Sequence, residues 1–241
     1  MYSFDSNHPG FLIIGSDTLH RRYLINTLLD RNVPLLGVIF ENAQVKPSFH
    51  TTPVYVEKEN HFLEKEFKKY TRLDLDRVNH WRFSNANSES ALRKIDSLGP
   101  LLGVVSGAGY LKKEVVKKFQ DGLLNIHLGI AEEYRGLDSN LWAAYHSDFK
   151  NIGVTVHYVD SGLDTGDIVN EERVKTLDQV EAYNLRFYEM LLATDMIYNE
   201  LMNYSQNSIK RRAQIKKGRY YSFMPSCLKT LTAKKLEKIL N

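Results

Sequence analysis

A single cysteine, Cys227, leaves this chain without an intramolecular disulfide framework or a zinc site built from several thiolates. Nothing in the sequence pairs it with a histidine, and it reads as a small apolar filler. Proline and glycine are scarce, at 6 and 14 of 241 residues, which excludes fibrous and low-complexity classes; 43% hydrophobic and 25% charged residues suit an ordinary globular protein. No stretch approaches the roughly 18 unbroken apolar residues of a membrane span. The opening MYSFDSNHPG lacks the charged-then-apolar order of a secretory signal, so a cytoplasmic protein with no membrane partner is expected. The first turn, GSDTLHR, lacks the second and third glycines of a dinucleotide fingerprint, which argues against a nicotinamide dehydrogenase. Asp17, His20, His146 and His157 show no metal-ligand spacing and read as loop and surface polar groups; no metal is expected.

Net charge is small, +3, but unevenly placed. From Ser205 onward ten Lys or Arg face one acid, Glu237, giving this tail +9 and leaving −6 for the first 204 residues. The asymmetry points to a phosphate-bearing partner or to an acidic surface of the same protein; a solvated basic face explains it equally.

The apolar run FLIIG at 11–15, the amphipathic stretch 19–29 and the run 34–40 predict strand, helix and strand. After a polar loop at 42–53, helices are expected over 54–70 and 88–98, the second ended by Gly99 and Pro100, and then a strand at 101–105. A helix at 111–119, a strand at 123–127 and a loop to Arg135 and Gly136 follow. Asp138 or Ser139 is expected to cap a helix whose apolar face is Leu141, Trp142 and Tyr145. Strands at 154–159 and 168–174 flank the turn GLDTG, and Asp178 is expected to cap a helix reaching Tyr204, with Val180, Tyr183, Phe187, Leu191, Thr194, Ile197 and Leu201 on one stripe. The tail reads as a hairpin turning at Lys217 and Gly218, then a basic helix from Thr232. Interleaved strands and helices predict an α/β fold with a mostly parallel open sheet and flanking helices. Residues 1–204 form its domain, and 205–241 a C-terminal hairpin and helix extension.

Three polar residues stand where a strand pattern alone would not put them. Asn125 and His127 lie two apart at the end of an apolar strand, so their side chains share a face, and Asp164 sits in the glycine-flanked turn SGLDTGD. Strand ends of open α/β sheets are where ligands bind. Singly, each has a plainer role: a turn Asn, a structurally satisfied His, an Asx-turn Asp. Together they suit attack of an amine on a formamide-like carbonyl. There an amide N–H and an imidazolium stabilise the developing oxyanion, while a carboxylate orients the imidazole or steers the proton.

The segment LLNIHLGIAEEYRGLDSNLWA with GVTVHYVDSGLDTGDIV resembles the formyltransferase family that includes glycinamide ribonucleotide transformylase, methionyl-tRNA formyltransferase and the sugar-nucleotide N-formyltransferases. The resemblance is sharp over 101–174 and extends over 11–204. It implies the formyltransferase fold, Asn125, His127 and Asp164 as catalytic residues, and N10-formyltetrahydrofolate as cofactor. The pterin would be held by Gly109, Tyr110 and Leu111 and by the loop Asp160 to Leu163, largely through backbone groups. The family pattern of HPS followed by a leucine–proline pair is replaced here by HLGIAEEYRG, which predicts a differently shaped loop beside the amine site, where Arg135 and Gly136 would meet substrate.

Only 37 residues follow Tyr204, too few for the barrel domain that methionyl-tRNA formyltransferases append. The resemblance is greatest to the sugar-nucleotide enzymes, whose C-terminal aromatic hairpins hold the nucleotide or pair subunits. It implies a nucleotide-diphosphate amino sugar as substrate, for surface polysaccharides such as O-antigen, no nucleic acid, and a homodimer. Lys216 and Arg219 would meet the diphosphate and Tyr220 and Tyr221 the base, the cations and rings also suiting a subunit interface. A glycinamide ribonucleotide or other small-amine formyltransferase is the alternative, and a non-enzymatic basic binding module a further one.

Overall fold

The computed structural model describes residues 10–42, 46–52, 55–68, 77–175, 179–204 and 209–238. Its centre is a seven-stranded sheet of order β3-β2-β1-β4-β5-β7-β8. Strand β1 (Phe11–Ser16) explains why the sheet is covered on both sides. Phe11 and Ile13 point into one apolar cluster, and Leu12 and Ile14 into another, so the run is apolar throughout rather than alternating. Parallel partners of β1 are β2 (Leu35–Glu41) and β4 (Leu102–Ser106); β3 (His80–Phe83) extends the sheet beyond β2, and β5 (Gly122–His127) beyond β4. Beyond β5 the direction reverses: β7 (Gly153–Tyr158) and β8 (Ile168–Arg173) run antiparallel.

Helices α1 (Leu19–Asp30) and α6 (Leu185–Met202) cover the first face through Leu24, Ile25, Leu28, Met190, Ile197 and Leu201. Helix α3 (Glu89–Leu98) covers the second with Ala91 and Ile95 buried; Ser88 accepts from the Ala91 amide at its start, and Gly99, left-handed at φ 58°, ends it. Helix α2 (Val56–Glu66) lies within its expected span; Val54 and Tyr70 at the ends of that span are outside the described residues. Among the described residues no helix is long and apolar enough to cross a membrane.

Several local expectations are corrected. Strand β3, HWRF, was not expected because a half-buried edge strand carries no apolar run. Helix α4 spans only Lys113–Val116, since Lys118 and Phe119 donate to Val115 and Val116 in tighter i to i+3 turns. Strand β6 (Tyr134–Gly136) stands where a loop was expected. Asp138 precedes α5 (Ser139–Tyr145) without capping it. Its φ is 52°, and its carboxylate takes the Met224 amide and Lys229. The buried residues of α5 are Ser139, Asn140, Ala143 and Ala144; Leu141, Trp142 and Tyr145 are half-buried. Helix α6 starts at Leu185, after a turn in which Asn184 accepts from the Glu181 amide and donates to the Gln179 carbonyl. Phe187 and Leu191 are only half-buried, the deeper stripe running through Glu189, Met190, Ala193, Met196 and Ile197, and Asp178 lies outside the described residues.

The tail does not fold back on itself as a hairpin. Its strand β9 (Arg219–Tyr221) pairs in parallel with β6, because Gly218 lets the chain press on the preceding loop, where a Cβ would lie 2.3 Å from the Ala131 carbonyl. Helix α7 then spans Ser226–Glu237, earlier than expected; Thr232 is buried in its middle and Cys227 is exposed, not a core filler. Leu236 joins a third cluster with Tyr134, Ala143, Ala144, Ile152 and Leu185. Leu236→Ala is expected to cost about 2–5 kcal/mol of stability, as for other fully buried leucines; a denaturant midpoint equal to wild type would show that α7 adds nothing to this core.

Candidate functional site

The site lies where β5 ends and the turn after β7 crosses it. Alternation along β5 sends Leu124 and Ile126 into the first core cluster and turns Asn125 and His127 to the opposite face. Antiparallel pairing sets His157 of β7 directly beside Asn125, and Thr155 beside His127. Asp164 reaches this face from the turn, at φ 52°. A non-glycine residue in the left-handed region persists only where its surroundings hold it there.

The three expected catalytic residues are brought together. Asn125 Nδ2 donates to Asp164 Oδ1 at 3.3 Å and to His157 Nε2 at 3.1 Å. The Gly136 amide donates to Asp164 Oδ2 at 2.8 Å. His127 Nδ1 lies 3.4 Å from Asp164 Oδ2, and His157 Nε2 3.4 Å from Asp164 Oδ1. Since carbonyls only accept, the remaining contacts assign both tautomers. His127 Nε2–H donates to Tyr134 O at 2.8 Å, and His157 Nδ1–H donates to Tyr158 O at 2.8 Å. His127 is the ring for which burial favours the neutral form, so its Nδ1 turns a lone pair toward Asp164, across a 3.4 Å gap longer than a hydrogen bond.

Charge follows from this packing. Burial works to raise the Asp164 pKa, but His127, His157 and the Gly136 amide override it and hold the carboxyl well below the usual range. Burial pushes the His127 pKa down, against the opposing pull of Asp164. The resting pair is thus a carboxylate beside a neutral imidazole whose Nδ1 is open to a proton. A proton arriving there meets Asp164 at once. Asn125 can turn either N–H onto a carbonyl oxygen by giving up one internal bond.

Arg135 and Gly136 belong to the same assembly. Arg135, 8% exposed, donates through Nε to Gly218 O and through a terminal nitrogen to Leu163 O, so it ties the turn that carries Asp164 to the tail. Gly136 has φ 96°, and a Cβ there would lie 2.1 Å from Tyr221 O, so no side chain fits where its amide meets Asp164. The loop 130–134, without its prolines, closes as a turn in which Ile130 O accepts from the amides of Glu133 and Tyr134.

The expected cofactor residues are more dispersed. Leu111 is buried in the second core cluster, whereas Tyr110 and Leu163 are exposed. The Gly109 amide is held by the buried carboxylate of Glu41, which also takes the Ala86 amide. Asp160 receives the Gly162 amide and the Thr165 hydroxyl, which shapes its loop. Asp160 also lines a cavity of about 530 Å³ together with Val116, Phe119, Gly122, Val159, Thr165 and Gly166.

In the tail, Lys216 is paired with Glu133 and the Arg219 guanidinium lies over the Tyr221 ring. Tyr221 is stacked between Tyr134 and Trp142, at 5.6 and 4.9 Å between centroids, and only Tyr220 of the pair is exposed. His157, taken from sequence as a surface group, is 2% exposed and part of the network. Its signal was the matching alternation of Asn125 and His127 on one strand with Thr155 and His157 on the next. His20 is likewise buried rather than on the surface, and Asp17 is engaged by Arg22 and Arg82.

A carboxylate, an amide and two imidazoles gathered at a strand end of an open α/β sheet have the chemistry to hold and move a proton. The chain belongs to the formyl transferase family, whose pattern it matches over residues 43–190. It is similar to a methionyl-tRNA formyltransferase of Finegoldia magna, 30% identical over 131 residues, or 54% of this chain and 42% of that protein. It thus spans less than half the length of that curated relative. In fold it is similar to a sugar N-formyltransferase from a Shewanella species, with a TM-score of 0.65, 14% identity and coverage of 95% of this chain and 88% of the other. It is also similar to a formyltransferase of Anoxybacillus kamchatkensis crystallised with UDP-4,6-dideoxy-4-formamido-L-AltNAc and tetrahydrofolate, with a TM-score of 0.54, 16% identity and coverage of 88% of this chain and 85% of the other.

The tautomers and charges make a direct prediction. Following the imidazole signals by NMR, His127 should stay neutral to a pH below the ordinary histidine range, and Asp164→Asn should lower its titration further by removing the opposing carboxylate. A His127 that titrates higher in Asp164→Asn than in wild type would contradict the assignment.

Proposed function

We propose that this protein transfers a formyl group from N10-formyltetrahydrofolate to the primary amine of a nucleotide-diphosphate amino sugar. The observation that carries the reading is the buried cluster of Asn125, His127 and Asp164, with a neutral His127 Nδ1 beside a fixed carboxylate.

The residues present fit a folate. The two loops expected to hold it meet where the Tyr110 hydroxyl donates to Ser161 O at 3.3 Å, and of their residues Asp160 also lines the 530 Å³ cavity, whose other polar groups include Asp121, Asp167 and Arg211. Backbone groups around Gly109 to Leu111, with Asp160 and Leu163, would hold it. When bound, the folate supplies the formyl carbonyl. His127 Nδ1 accepts the proton released by the attacking amine, and Asp164 stabilises the imidazolium so formed. Asn125 donates to the carbonyl oxygen as negative charge grows there. The His127 proton is then available to the departing nitrogen. Burial of the cluster strengthens each of these interactions.

Three considerations favour a sugar nucleotide. The shape likeness to the Shewanella enzyme runs over almost the whole of both chains, whereas the methionyl-tRNA relative is matched over 42% of its length. The Anoxybacillus relative carries a formylated UDP-sugar. The tail brings Lys216, Arg219, Tyr220 and Tyr221 beside β6, next to Arg135 and Gly136. In this reading 205–241 is a substrate-facing extension of the 1–204 domain, and its exposed ring and cations also serve a homodimer contact.

Formyl transfer assayed against amino-sugar nucleotides, glycinamide ribonucleotide and methionyl-tRNA should be fastest with a sugar nucleotide. Lys216→Ala combined with Arg219→Ala should raise its KM in a salt-dependent way without changing folate affinity. Preferred turnover of glycinamide ribonucleotide or tRNA would refute the sugar assignment, and an unchanged KM at all salt concentrations would refute the phosphate role.

A further inference from the structure

The segment 209–221 lies beyond the part of the chain that matches the family, yet it is bonded both to the 132–136 segment and to the turn that carries Asp164. Arg212 exchanges backbone hydrogen bonds with Ile168, at the start of β8. Its guanidinium clasps the Glu132 carboxylate with two bonds of 3.0 and 2.8 Å, and Glu132 also takes the Ile215 amide. Gly218 O receives Arg135. At the middle of the segment, Gln214 spends both N–H groups of its side-chain amide on the catalytic turn, donating to Asp164 O at 3.0 Å and to Gly166 O at 2.9 Å.

We infer that Gln214 is a positioning residue for the reaction: by pinning the carbonyls on either side of Thr165 it holds Asp164 in its left-handed conformation and keeps the carboxylate on Asn125 and His127. The physical need is plain. A left-handed non-glycine residue persists only where its surroundings hold it there, and Asp164 has φ 52°. Two bonds from one planar amide fix the spacing of two carbonyls, which a single bond cannot do. Since Gln214 reaches only backbone atoms, it acts through Asp164 and not on substrate. The tail therefore contributes to the catalytic geometry as well as to any acceptor contact.

The inference rests on the reading of Asp164 as catalytic, but its test needs neither folate nor acceptor. His127 is faced by Asp164 from the turn, by His157 from β7 and by Arg135 and the Tyr134 carbonyl from β6. Of these only Asp164 pulls toward the protonated ring through its charge, so any loosening of Asp164 lowers the His127 titration. In Gln214→Met, which keeps length and removes both donors, the NMR titration of His127 should move to lower pH, in the direction of Asp164→Asn and by a smaller amount. The thermal midpoint should stay close to wild type. Gln214→Asn, which keeps the amide but is one methylene short, should move it the same way and serves if the methionine variant does not fold. An unmoved His127 titration in a folded variant overturns the positioning role while leaving formyl transfer intact; a failed acceptor panel would sink formyl transfer while leaving this titration result standing.

Discussion

The structure depends on keeping one carboxylate charged in a place that disfavours charge. Asp164 is largely buried, and its ionised form is held by N–H donation from the Gly136 backbone amide and the Asn125 side-chain amide, with the His127 and His157 rings beside it. Those groups come from three separate strands, β5, β6 and β7. The fold can be understood as the device that brings them to one point. Parallel strands up to β5 give a strand end from which Asn125 and His127 project, and the reversal at β7 lays His157 against them. With one partner missing, burial would favour the neutral acid, and the neighbouring imidazole would lose its counter-charge.

The same constraint explains why the tail is built into the domain. Gly136 must offer its amide to Asp164, which requires a positive φ and a close approach of Tyr221. Strand β9 supplies that approach, the stacked rings of Tyr134, Tyr221 and Trp142 steady it, and α7 anchors the chain beyond through Lys229, Asp138 and Leu236. Positive charge in this tail is partly spent inside the molecule, on Glu132, Glu133 and Asp138, so a basic composition alone overstated what it offers to a partner.

Most of the sheet was legible because its signals are local. Short continuous apolar runs at 11–15, 34–40 and 101–105 suit strands covered on both faces, and the cap and stop of α3 are written in Ser88 and Gly99. The trio was legible because two polar residues at strand spacing and an aspartate between glycines break an apolar pattern. What escaped depends on long-range pairing. A short polar edge strand at 80–83, the β6–β9 pairing across more than eighty residues, and the contacts of Gln214 and Glu132 have no periodic signature. The hairpin reading failed for that reason: KKG suits a local turn, but the partner of the strand was elsewhere. His157 was passed over because its alternation with Thr155 gains meaning only once β7 is known to pair with β5.

The central claim is that the Asn125, His127 and Asp164 cluster performs proton transfer during formyl transfer. Steady-state turnover of the amino-sugar nucleotide by His127→Gln, compared with wild type and paired with calorimetric affinity for 5-formyltetrahydrofolate, tests it most directly. The account predicts that kcat falls by about a hundredfold or more, within the usual range for loss of a general base, while folate affinity is retained. Turnover close to wild type in His127→Gln would contradict it.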